Sequence, residues 1–77
     1  MNRKDLLALL DAPDFEPFRI HLTGGKTFDV MHPDSAFVGT TRLTLITTPP
    51  GSKHEEARMD FIALLHIVRI EPLKQAA

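Results

Sequence analysis

The sequence predicts a mainly β domain with one N-terminal α-helix, its strands forming a small bent antiparallel sheet or closing into a five-stranded barrel. Three observations lead there. Apolar residues at helical spacing, followed by a proline stop, open the chain before Pro13. From Pro17 onward apolar residues alternate with polar ones. Clusters of glycine, proline, aspartate and serine interrupt that alternation at short intervals. All 77 residues read as a single domain, with the helix inside 1–12 and the strands inside 17–72.

Asn2 suits an N-cap, because its side-chain oxygen can accept from a first-turn N–H, and Asp5 three residues on supplies the negative charge a helix N-terminus favours. Leu6, Leu9 and Leu10 share a face with Leu7 beside them, which predicts a helix over about residues 3–11. Asp11, Pro13 and Asp14 end it, since proline cannot continue the ladder and restricts the residue before it. So short a helix is marginal alone in water, and its leucines are expected to pack on the sheet.

Phe18, Ile20 and Leu22 then alternate with Arg19, His21 and Thr23, the pattern of a half-buried strand. Gly24-Gly25 tolerates the positive φ of a tight hairpin turn, and alternation resumes with Phe28 and Val30 inward, Thr27, Asp29 and Met31 outward. His32-Pro33-Asp34-Ser35 reads as a turn and Ala36-Phe37-Val38 as a short strand. After Gly39-Thr40-Thr41, Arg42 to Thr48 is a β-branched strand setting Leu43 and Leu45 against Thr44 and Ile46. Pro49 to Glu56 cannot join a ladder and is expected to be the most exposed loop. Ala57 to Phe61 reads as a strand, Ile62-Ala63-Leu64-Leu65 as a tight apolar turn or one helical turn, and His66 to Glu71 as the last strand, with Val68 and Ile70 inward and Pro72 ending it. Phe61, Leu64, Leu65 and Val68 also match helical spacing, so a helix over 61–70 is the alternative.

Composition narrows the function classes. With 43% hydrophobic and 25% charged residues the chain should fold rather than stay disordered. Nine Lys and Arg against ten Asp and Glu give a net charge of -1, so no overall field draws phosphate backbones or anionic lipid, and a nucleic-acid role would need a local patch. The absence of cysteine excludes disulfides, thiolate catalysis and thiolate zinc sites. The Leu-rich stretch after Met1-Asn2-Arg3-Lys4-Asp5 is too short for a secretory segment or a membrane span, so the expectation is a cytoplasmic protein with no membrane partner.

A short leucine-rich helix followed by about five short strands, with Gly24-Gly25, Asp34-Ser35-Ala36-Phe37 and the closing Ile67-Val68-Arg69-Ile70-Glu71-Pro72, resembles the Sm-like family of small SH3-like barrels that includes bacterial Hfq. The resemblance runs over nearly the whole chain. It implies a helix capping a five-stranded bent sheet, and RNA as a partner. The family's basic RNA-contact motif, just before the last strand, would fall near Ile62-Ala63-Leu64, which carry no charge. Pro17 to Val38 together with Leu64 to Pro72 also resembles a group of short uncharacterised bacterial proteins of the same outline, which implies a fold and no activity.

Four histidines are the side chains that titrate near neutrality. His21 sits on the polar side of its strand, expected to form a solvated cross-strand pair with Asp29. His32 and Asp34 have a ligand-like spacing but lack the further ligands zinc needs. His54-Glu55-Glu56 is followed by Arg58 where a zinc-binding helix would place its second histidine. His66 is expected to be a partly buried, hydrogen-bonded structural residue. Gly24-Gly25 lacks the following helix that a phosphate-binding loop requires, and Ser35 and Ser52 have no adjacent base. No catalytic, cofactor or metal residue is assigned, and no enzymatic activity is expected.

Two functions remain. One is a non-enzymatic module forming a homo-oligomer through exposed strand edges, motivated by Thr44 to Thr48, Ala57 to Phe61 and the apolar Ile62 to Leu65. The other is an Sm-like RNA-binding protein that contacts RNA, or another partner, through Arg19, Lys26 and Arg69 if the strands curl so as to bring them onto one face. Phe18 and Phe28, which could stack on bases, fall at core-facing positions.

Overall fold

The structure, a computed structural model, describes residues 1–48, 51 and 56–73. It is mainly β: helix α1 (Arg3–Leu10) precedes strands β1 (Phe18–Leu22), β2 (Thr27–Val30), β3 (Ala36–Val38), β4 (Arg42–Thr47), β5 (Arg58–Ala63) and β6 (Ile67–Pro72). The strands form two antiparallel three-stranded sheets, in the orders β2-β1-β6 and β3-β4-β5. Of the loop expected over 49–56, Gly51 and Glu56 are exposed and 49–50 and 52–55 lie outside the described residues.

Local chemistry accounts for the elements. The Asn2 side chain accepts from the Asp5 N–H at 2.9 Å, capping α1, and Leu6 and Leu10 bury its inner face. Gly24 and Gly25 turn the β1–β2 hairpin at φ of 93° and 94°, backbone angles that L side chains rarely adopt. Inward residues from both sheets meet in one core: Phe18, Ile20 and Val30 from the first, Ala36, Leu43, Leu45 and Ile62 from the second, with the α1 leucines, Leu64 and Ile67.

Among the described residues the sheets do not close into a barrel. All six strands read from the alternation are present, against the five of the barrel alternative, and two 3₁₀ turns, Pro33–Ser35 and Leu64–His66, carry the chain from one sheet to the other. A 3₁₀ turn redirects the backbone and cannot carry a ladder through the corner. The second turn still ties the sheets together: Leu64 N–H donates to the Thr41 carbonyl, and Thr23 N–H to that of His66, both at 2.9 Å.

Several local expectations are corrected. Ile62 to Leu65 is not one apolar patch, because β5 runs on to Ala63, so Ile62 and Leu64 are buried and Leu65 is left 76% exposed. Val68 does not point inward. The β1–β6 register shifts between His21 and Leu22, opposing Ile67 to Leu22 and Arg69 to His21, which leaves Val68 as the extra residue and buries Ile67 instead. The alternative helix over 61–70 is not formed. Nor is Thr44 to Thr48 an exposed edge: β4 is the central strand of its sheet.

Candidate interaction surface

The two sheets share a core but present different chemistry to solvent. On the first, Arg19 of β1 lies opposite Asp29 of β2 and Glu71 of β6, while His21 lies opposite Thr27 and Arg69. Arg19 donates twice to Asp29, Nε to Oδ1 at 2.7 Å and Nη2 to Oδ2 at 3.1 Å, a bidentate ion pair. His21 Nε2 donates to Glu71 Oε1 at 2.9 Å, and Arg69 Nη1 lies 3.4 Å from the same nitrogen. The hydrogen bond from Arg19 holds the Asp29 carboxyl below its ordinary range, and its charge adds to this against partial desolvation. Glu71 is lowered first by the hydrogen bond from His21 and further by the charges of Arg69, His21 and Arg19.

The outward side of the second sheet is apolar. Phe37, Thr44 and Phe61 form one row across β3, β4 and β5; Ile46 and Met59 form the next, and Arg42 faces Ala63. Phe37, Met59 and Phe61 are 57%, 58% and 58% exposed. The Arg42 guanidinium sits 4.4 Å from the Phe61 ring centre, a cation–π contact, with no carboxylate within ion-pair distance among the described residues. Leu65 on the second 3₁₀ turn and Val68 on β6 are exposed as well, at 76% and 64%.

Of the predicted contact residues, Arg19 and Arg69 share the first sheet's outward side, next to His21. Lys26 does not join them; its Nζ lies 5.2 Å from the Phe28 ring centre. The expected His21–Asp29 pair is not formed, because the hairpin register gives Asp29 to Arg19 and the third strand supplies Glu71 to His21. His66 is exposed rather than partly buried, and its carbonyl, not its ring, makes the structural bond. His32 is exposed; Ser35 Oγ donates to the His32 carbonyl at 2.7 Å. Asp29, His32 and Ser35 line a shallow cleft of about 190 Å³, but with Asp29 held by Arg19 and Ser35 on a backbone carbonyl, they form no relay. Among the described residues no three His, Asp or Glu side chains converge, and no helix is long and apolar enough to cross a membrane. His54, Glu55 and Ser52 lie outside the described residues.

Sequence reasoning missed Phe37, Met59 and Phe61 as surface residues. The available signal was parity: Leu43, Leu45 and Ile62 occupy the inward positions of β4 and β5, so Met59 and Phe61 fall on the other side. No protein-family model, curated protein or solved structure matches the chain.

Proposed function

We propose that the protein is a non-enzymatic interaction module that self-associates through the β3-β4-β5 sheet and its β5 edge. The observation that carries this reading is the outward set Phe37, Met59 and Phe61, each more than half exposed above a core that is already filled. Covering an exposed side chain of this size contributes on the order of 1 kcal/mol or more, and several together, with backbone bonds at an unpaired edge, offset the cost of association. The test is native mass at tens of micromolar. A homo-oligomer is expected, reduced to monomer by Phe61→Lys with the fold retained by circular dichroism; a strict monomer for the unaltered chain overturns the reading. The absence of cysteine supports placing the module in the cytoplasm, to be checked by fractionation.

A second reading is an Sm-like RNA-binding protein. The order of elements supports it, with an N-terminal helix before short antiparallel strands and a 3₁₀ turn before the last, as do the exposed Lys26 and Arg69. Arg19 adds little to it, because Asp29 matches its charge. Affinity for U-rich or A-rich oligoribonucleotides that falls steeply with salt is the expected result, and no binding at low salt rejects this reading.

A further inference from the structure

Four strands lie at sheet edges, and native proteins protect such edges by shortness, proline, charge or bulges. β3 has three residues and β2 four. β6 pairs through a register shift and ends in Pro72. β5 is neither short, nor broken by proline, nor bulged: it has six residues in continuous register with β4, its only charges are Arg58 and Asp60, and Met59 and Phe61 are both 58% exposed.

The hydrogen-bond phase of that edge is fixed. Leu64 N–H donates to the Thr41 carbonyl in the register that sets Arg42 opposite Ala63. Bonding therefore alternates so that Arg58, Asp60 and Ile62 direct their N–H and C=O groups toward β4, and Met59, Phe61 and Ala63 direct theirs away from the sheet. Three donors and three acceptors at two-residue spacing are the template for another strand.

We infer that this strand is β5 of a second copy, running antiparallel about a two-fold axis at Phe61, an inference that rests on the self-association reading. An axis perpendicular to the sheet keeps both apolar outward sides on the same side of one continuous six-stranded sheet. Three registers match the phase and also pair at least two of these outward residues among themselves. Setting Met59 opposite Phe61 of the second copy puts Asp60 directly against Asp60, a like-charge pair that is unfavourable on neighbouring strands. Setting Phe61 opposite Ala63 places the axis at Ile62 and forces Met59 against Leu65, which lies in the 3₁₀ turn. Setting Phe61 opposite Phe61 pairs Met59 with Ala63 at both ends, satisfies all three outward residues with about six backbone bonds, and places Asp60 opposite Ile62. The two phenylalanines then meet at the axis, each with the Arg42 guanidinium of its own copy over its ring.

The chain has no cysteine, so introduced thiols report this register without interference. Phe61→Cys is expected to form a covalent dimer under mild oxidation, since facing residues of an antiparallel pair have Cα atoms about 5.5 Å apart, within disulfide reach. Met59→Cys and Ala63→Cys, each alone, are expected not to cross-link, because like positions then lie roughly 14 Å apart. Mixed together, and with Phe61 intact, they should give the heterodimer. Cross-linking of Met59→Cys alone, or failure of the mixed pair in a chain whose native mass is oligomeric, overturns the inference and leaves self-association standing. A monomeric native mass overturns both.

Discussion

The outward sides of the two sheets contrast in how their side chains are satisfied. On β2-β1-β6, Arg19 is paired with Asp29 and His21 with Glu71 within the chain, and Arg69 stands beside His21. On β3-β4-β5, Phe37, Met59 and Phe61 stand exposed on the edge strands, and among the described residues Arg42 has no carboxylate within ion-pair distance. The inward sides are equivalent, feeding a common core. The difference teaches that burial parity alone does not show where a small β domain meets partners. What distinguishes the faces is whether the outward residues satisfy one another.

The largest effects should come from breaking the equivalence of the inward sides. Ile20 and Leu45, one from each sheet, are both fully buried in the shared core. Ile20→Ala and Leu45→Ala are each expected to lower unfolding free energy by about 2–5 kcal/mol, a large part of what so small a domain has. Urea denaturation checks this, and a marginal loss at one site would mean the sheets do not share one core. Next come the outward apolar residues. Phe61→Lys should abolish self-association while changing monomer stability by no more than about 0.5 kcal/mol, whereas Phe37→Lys, two strands from the proposed axis, should weaken association less. Sedimentation of both variants decides, and equal effects would move the contact from the β5 edge to the whole sheet face.

The smallest effects belong to the charged side. Asp29→Asn should cost less than about 1 kcal/mol, because the Arg19 and Asp29 side chains are each 39% exposed and solvent screens the pair. Its pH dependence has a definite sign. Asp29 and Glu71 are held below their ordinary pKa values in the folded chain, so their contribution is fully present above about pH 4–5 and is lost as pH falls through the lower folded values. Denaturation midpoints taken from pH 6 to pH 3 should therefore drop less for the Asp29→Asn, Glu71→Gln double variant than for the unaltered chain. An equal drop would show that the network adds nothing.

Much of this fold was legible because its signals are local. The Asn2 cap, the Leu6 and Leu10 stripe, the Gly24-Gly25 hairpin and the parity of β4 each depend on residues a few positions apart. Pairing order is not local. Alternation in Thr44 to Thr48 is the same whether the strand is central or at an edge, so it does not reveal that β3 and β5 flank β4. The shift at His21 and Leu22 inverted the expected parity of Val68, since a bulge leaves no mark in a two-residue period. The partner of His21 was missed for a related reason: parity identifies the side on which it stands, but only the assembled sheet brings Glu71 from 50 residues away.

The central claim is that the β3-β4-β5 sheet, and within it the β5 edge, is where this chain meets its own copy. Amide chemical shifts followed by NMR through a dilution series from hundreds to a few micromolar test it most directly. Shift changes are expected to concentrate at Met59, Phe61 and Ala63, to fade toward Phe37 and to be absent at Arg19, Asp29 and Glu71. Changes centred on the charged sheet, or spectra independent of concentration, would contradict it.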